Sequence, residues 1–381
     1  MEETIKVNEQ LKPALKPLCV PKRLLLGPGP SGSYPEVLRA MGSPAVGYLD
    51  PAFIEVMQEI QALLRYVWQT TNETTICISG TGSAAMEACV ANTVERNDVV
   101  LVAVCGYFGN RLVDMAERYG ADVRVINKPW GQVFTCQEIR EALEKHRPRV
   151  LAMVHVETST GVVQPMEGIG ALCREYDSLL LLDTVTSLGG VPIHLDAWGV
   201  DLAYSCSQKG LSASPGASPL TVGPRALEKM RARRGKVANW YLDLTLLEKY
   251  WGPARQYHHT ASMACYYGLR EALRVIAEEG MSACWQRHAE NAEYLWSELE
   301  KLGLTMHVEK PWRAPTLTTV RIPDGIDGKA LAKKLLEEEQ IEIGNGIGDL
   351  AGKVWRVGLM GYNSRRETVD KFIAAFAKVL D

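Results

Sequence analysis

The stretch TTICISGTGSAAMEACVANTV, Thr74 to Val94, changes period in its middle. Its first six residues are β-branched, apolar or small, the composition of a strand covered on both faces. Gly80-Thr81-Gly82-Ser83 turns the chain, and the apolar residues beyond it recur at three- and four-residue spacing, the period of a helix. A buried strand that feeds a covering helix is half of a βαβ unit, so a parallel sheet follows if the unit repeats.

The unit does repeat. DVVLVAV (98–104), DVRVIN (122–127), RVLAMVHVE (149–157), SLLLLD (178–183), DLAYSCS (201–207) and PLTVG (219–223) read as strands, with helical patterns over 109–120, 135–146 and 168–176. Thr135 with Glu138 three residues on predicts a capping box. The short connections suit right-handed crossovers, and the pattern predicts a doubly wound α/β fold with a mostly parallel seven-stranded sheet. After about Thr260 long helices precede the strand candidates TLTTVRI, IEIGNG and KVWRVGLM, which predicts a smaller α+β domain. The expected division is an N-terminal arm over 1–22, a large domain over 23–282 and a small domain over 283–381.

The 381 residues carry 42 lysines and arginines against 45 acidic residues, and the net charge of -3 gives no general pull toward nucleic acid or anionic membrane. The one basic run, EKMRARRGK (228–236), reads as a solvated helix end. Nine cysteines without a C-x-x-C pair indicate neither a disulfide framework nor a zinc knuckle, and Cys77, Cys105 and Cys206 sit in apolar runs as buried thiols do. The first residues lack the apolar core of a signal peptide, no run has the length of a membrane helix, and the C-terminal AAFAKVLD carries no peroxisomal address. A reducing, cytoplasmic setting is the expectation.

Three features at strand ends carry chemistry. Backbone N–H groups at Thr81, Gly82 and Ser83 open a helix and suit a phosphate, although the stretch is neither a Walker loop nor G-x-G-x-x-G. Asp183 ends a strand so apolar that it belongs mid-sheet, where a carboxylate needs a cation, hydrogen-bond donors or a structural role such as a bond to Ser187. Lys209 ends the next strand among small residues; alone it could be a solvated loop lysine, but a desolvated amine there is a usable nucleophile. Phosphate cradle, buried acid and amine together match pyridoxal 5′-phosphate, whose phosphate, pyridinium nitrogen and aldehyde require those three groups.

With LLLGPGPS (24–31), HVETSTGVVQP (155–165), LLLLDTVTSLGG (179–190), SCSQKGL (205–211), YHHT (257–260) and KVWRVGLMG (353–361), the chain resembles the class V aminotransferases of fold type I, and within them the alanine-glyoxylate or serine-pyruvate group. The resemblance implies that Lys209 bonds the cofactor aldehyde and shuttles the proton, and that Asp183 partners the ring nitrogen. It places Thr81, Gly82, Ser83, Gln208 and Ser207 at the phosphate, Thr158 at the ring hydroxyl, and Val185 and Phe108 on the two ring faces. Arg356 grips the substrate carboxylate, with the Gly27–Pro30 loop, Gly29 included, close by. Many relatives have Trp at the position of Phe108, and some have His at that of Ser83, which bears on the choice of amino acid.

Tyr257 and Thr260 are implied to reach the phosphate of a neighbouring subunit, hence a homodimer with active sites at its interface. His258 and His259 have no nearby cysteine or acid cluster, so no metal is expected. The expected reaction transfers an amino group from alanine or serine to a 2-oxo acid such as glyoxylate. Transaminases using 3-hydroxykynurenine, aspartate, an aminophosphonate or pyridoxamine share the motif set, and a non-catalytic cofactor-binding scaffold would lack a reason to keep Lys209. A desulfurase is disfavoured because Cys206 and Cys265 read as buried.

Overall fold

The computed structural model describes residues 8–380. The first seven residues of the expected arm, and Asp381 of the C-terminal stretch, lie outside the described residues. From Lys12 to Lys22 the arm has no regular structure and is exposed along its length.

Seven strands form the main sheet in the order Thr74–Ser79, Ala217–Val222, Leu202–Tyr204, Leu179–Asp183, Val150–Val154, Val99–Val104 and Asp122–Asn127. All neighbouring pairs are parallel except the two made by Ala217–Val222. Six strands therefore run one way, and their carboxyl ends share one edge. Leu179–Asp183 sits fourth of the seven, and its leucines are 0–1% exposed; each contributes about 1.5–3 kcal/mol by leaving water. Helices Gly82–Thr93, Tyr107–Arg118 and Cys136–His146 cover the sheet, and Thr135 and Glu138 form the capping box.

The second sheet has the order Leu24–Leu26, Ile341–Asn345, Val354–Gly358 and Leu317–Arg321. Leu24–Leu26 comes from the start of the chain, and it pairs in parallel with Ile341–Ile343. A boundary at residue 23 assigns this strand to the large domain, whereas its ladder and the buried Leu26 belong with Trp355 and Phe372 in the second core. No local pattern reveals such a pairing, because three leucines fit either core. The helix Met281–Lys301 is shared by both cores: Met281 and Cys284 pack into the first, Ala292, Leu295 and Leu299 into the second. Among the described residues no helix is long and apolar enough to cross a membrane.

Candidate active site

A cavity of about 210 Å³ lies where the carboxyl ends of the strands converge. Nine of the residues expected at a cofactor line it: Thr81, Gly82, Ser83, Phe108, Thr158, Asp183, Val185, Gln208 and Lys209. Met86, Arg111, Tyr204 and Cys206 complete the lining, and none of these four was singled out from the sequence as a site residue.

Asp183 is opposite Tyr204 in the register of adjacent strands, so the two side chains meet without any loop to place them. Its Oδ2 accepts the Tyr204 hydroxyl at 2.7 Å, and its Oδ1 accepts the Val185 backbone N–H at 2.7 Å. Ser187, the alternative partner, has a buried Oγ with no hydrogen bond. Burial pushes the Asp183 carboxyl up to about 6, against the pull of those two donors. The carboxylate is thus poised to ionise fully once a cation approaches.

Lys209 is buried in the same cavity, and desolvation brings its amine down to about 8. The Nζ donates to the Pro28 carbonyl oxygen. Gly29, with φ +126°, lies directly over the side chain: a Cβ there would sit 2.7 Å from Lys209 Cε. A φ of +126° is a conformation that other residues rarely adopt, so glycine suits this pass, and the GPGP loop gains a role beside the lysine.

The helix Gly82–Thr93 begins at Thr81 with no side chain capping its N–H groups. Gln208 lines the cavity beside it, and its buried Oε1 has no hydrogen-bond partner among the described residues. A half-turn of that amide presents its NH₂ to an anion instead. An uncapped helix start, an unpartnered amide, a buried acid and a softened amine are together the donor set that pyridoxal phosphate requires, so these residues fit the cofactor. Ser207 differs from the expectation: it is buried, does not line the cavity, and donates to the Ser214 carbonyl oxygen at 2.6 Å, steadying the lysine loop.

Phe108 is oriented through Glu157, a fully buried carboxylate that accepts the backbone N–H groups of Phe108 and Gly109 at the start of the helix Tyr107–Arg118. The Arg111 guanidinium lies 4.7 Å from the Phe108 ring centroid and donates to Ser83 Oγ at 3.4 Å. Trp355 and Val357 face the second core, which turns Arg356 toward the large domain. There Arg356 is buried, donating to the Asn345 carbonyl oxygen at 2.9 Å and to the Thr158 carbonyl oxygen at 3.2 Å. No carboxylate among the described residues pairs with it, and burial lowers it to about 10.

The chain matches the aminotransferase class-V family over residues 33–372. It belongs to that family. It is 43% identical to the alanine-glyoxylate aminotransferase of Callithrix jacchus over 373 residues, 97% of this chain and 90% of that one. The crystal structure of an alanine-glyoxylate aminotransferase from Nostoc sp. superposes with a TM-score of 0.98 at 67% identity, covering 99% of this chain and 100% of that one. The ureidoglycine-glyoxylate aminotransferase of Bacillus subtilis gives 0.94 at 39% identity, covering 96% and 94%. The chain is therefore a fold type I, pyridoxal-phosphate-dependent aminotransferase.

Besides Ser207, four expected residues of this aminotransferase do not line the cavity: Gly29 lies over Lys209, Arg356 reaches the Thr158 carbonyl oxygen, and Tyr257 and Thr260 are on the surface. Tyr257 is exposed and packs against Tyr48 with ring centroids 4.6 Å apart, and Thr260 is exposed beside it. His258 and His259 are buried, with Nδ1 atoms 3.0 Å apart; His258 stacks on Trp240, and His259 meets Ser79 Oγ at 2.8 Å. Among the described residues no cluster of three metal-ligating side chains occurs. Cys206 is buried as expected, but Cys265 is half-buried, because it lies near the start of the helix Met263–Glu279, where the chain faces outward. Tyr204 could have been found from sequence only by fixing strand register, since an aromatic residue in an apolar run carries no other signal.

Proposed function

We propose that this aminotransferase moves the amino group of alanine or serine to a 2-oxo acid, glyoxylate above all, and that it works in the cytoplasm as a homodimer. The observation that carries the reading is the convergence of Lys209 and Asp183 on one small cavity, with the unpaired Arg356 donating to the carbonyl oxygen of Thr158, a residue of its lining. The relatives from Callithrix jacchus and Nostoc are named for alanine and glyoxylate, which supports a small donor and a small acceptor.

Bound pyridoxal phosphate supplies the electrophilic aldehyde and the electron-accepting ring. Thr81, Gly82, Ser83 and Gln208 would hold its phosphate, and Thr158 its ring hydroxyl. Val185 and Phe108 would hold the ring between them, with Asp183 ionised at its nitrogen. Lys209 then supplies the amine that takes and returns the substrate's α-proton, a role suited to an amine titrating near the working pH. Arg356 would fix the carboxylate of donor and acceptor alike by a planar fork.

A panel of donors and acceptors followed by absorbance tests the reaction. Alanine with glyoxylate is expected to bleach and restore the visible cofactor band through complete turnovers; silence with every donor would remove the enzymatic reading. Arg356→Lys is expected to raise KM for alanine and glyoxylate alike by about 30- to 100-fold, through loss of the bidentate contact.

The dimer is supported by the exposed aromatic side chains of Tyr48, Trp240, Tyr241 and Tyr257, which gather around the Tyr257–His259 segment. If Tyr257 serves the partner's cofactor, mixing Lys209→Ala chains with Tyr257→Ala chains restores activity in the mixed dimers, because one site regains both residues. Absence of complementation would confine Tyr257 to its own subunit.

A further inference from the structure

His288 takes no part in the chemistry above, yet it is fully buried and both ring nitrogens are committed. Nδ1 donates to the Cys284 carbonyl oxygen at 2.7 Å, one turn earlier in the same helix, and Nε2 accepts the Gly361 backbone N–H at 2.9 Å. A backbone carbonyl can only accept and a backbone N–H can only donate, so one neutral tautomer is imposed. Burial and the adjacent Arg287 guanidinium, partly offset by the Cys284 carbonyl and Glu279, bring the imidazole down to about 4.

The turn that His288 holds, Gly361–Asn363, follows the strand carrying Arg356. Gly361 has φ +52°, and a Cβ there would lie 2.0 Å from Ser212 Oγ and 2.7 Å from the Gly210 carbonyl oxygen. The turn therefore rests on the backbone immediately after Lys209. Tyr362 N–H donates to Ser212 Oγ at 2.8 Å, and Ser31 Oγ donates to the Lys209 carbonyl oxygen at 2.7 Å. Arg287 donates to the carbonyl oxygens of Gly361 and Ser364 at 3.0 and 2.9 Å. The imidazole also touches the loop after Asp183: a Cβ on Gly190 would stand 3.0 Å from His288 Cδ2. Two chain segments that bear site residues thus meet at the ring, and the third, after Lys209, packs against the turn that the ring holds.

We propose that His288 is a positioning residue: by accepting the Gly361 N–H it fixes the turn that sets Lys209 and Arg356 in register with each other. The inference rests on the reading of Lys209 as the reactive amine. His288→Asn puts an amide NH₂ near the Nδ1 position but cannot reach Gly361, whereas His288→Gln extends an acceptor to the Nε2 position. Because displacements of about 1 Å cost on the order of 100-fold in rate, the Asn variant is expected to lose about 30- to 100-fold in kcat/KM, with a raised KM for both carboxylate substrates. The Gln variant stays within about 3-fold of the native enzyme, since it keeps the acceptor at Gly361.

A second readout is independent of turnover. Apoprotein is mixed with pyridoxal phosphate across a pH series, trapped with borohydride, and the label on Lys209 is quantified by mass spectrometry. The midpoint is expected to shift in the Asn variant and not in the Gln variant. Equal losses in both variants that track their melting temperatures, or an unchanged midpoint and KM in the Asn variant, would overturn the proposal. Absence of label in native protein would instead overturn the role of Lys209 itself. Should the Asn variant fail to fold, Ser212→Ala frees the same turn from its other side and is expected to shift the midpoint in the same direction; no shift would count against His288.

Discussion

Lys209→Ala is expected to lose about 10⁴-fold or more in kcat, because it removes the one amine in the cavity that can both anchor the cofactor and carry the proton. Single-turnover absorbance with alanine checks this, and a variant that completes repeated turnovers would end the assignment. Stability moves the other way. The amine titrates at about 8 in the folded protein against 10.5 when free, so the unfolded chain holds more protons between those values. Apoprotein stability therefore rises with pH from about 8 to 10.5, and below that window the buried ammonium costs about 3 kcal/mol. The Ala variant lacks that cost, and its apo form is expected to melt no lower than the native apoprotein at pH 7.

Asp183→Asn is expected to lower kcat by about 10²- to 10⁴-fold with the fold intact. The amide keeps the hydrogen-bonding shape of the site, its oxygen accepting from Val185 and its NH₂ donating to the Tyr204 oxygen, while the charge is gone. The folded carboxyl titrates at about 6, above its ordinary 3.8, so the folded protein holds the extra proton between these values. Native apoprotein consequently loses stability as pH rises through that window, by up to about 3 kcal/mol. The Asn variant has no such slope and is expected to be the more stable apoprotein above pH 6. Melting curves from pH 4 to 8 measure it; a native-like slope in the variant would place the titration elsewhere.

These two charges give cofactor binding an electrostatic gain. At neutral pH both the carboxylate and the ammonium are buried at a cost, and neither lies within ion-pair distance of a counter-charge among the described residues. A ligand that offers a cationic nitrogen to one and an aldehyde to the other relieves both, so cofactor binding should stabilise this fold by mass action and by removing those penalties together.

The main sheet was legible because its strands are buried on both faces and so are apolar without interruption, as in Leu179–Leu182. The site was legible because open α/β sheets gather ligands at strand carboxyl ends, where Asp183, Lys209 and the Thr81–Ser83 helix start all fall. Leu24–Leu26 was not, since a parallel partner more than three hundred residues away leaves no trace in local periodicity. The family resemblance placed Ser207 at the phosphate, but the loop turns its hydroxyl inward to Ser214.

The sequence by itself determined the order of elements and put Asp183, Lys209 and the Thr81–Ser83 helix start at one edge of the sheet, because each depends on residue type at a strand or helix end; Arg356, in mid-strand, was singled out by the family resemblance. Tertiary structure alone decided that Tyr204 meets Asp183, that Gly29 lies against Lys209, and that His288 holds the Gly361 turn, which packs on the loop after Lys209. Those contacts depend on register and on the meeting of distant segments, which hydrophobic burial fixes only when the whole core closes.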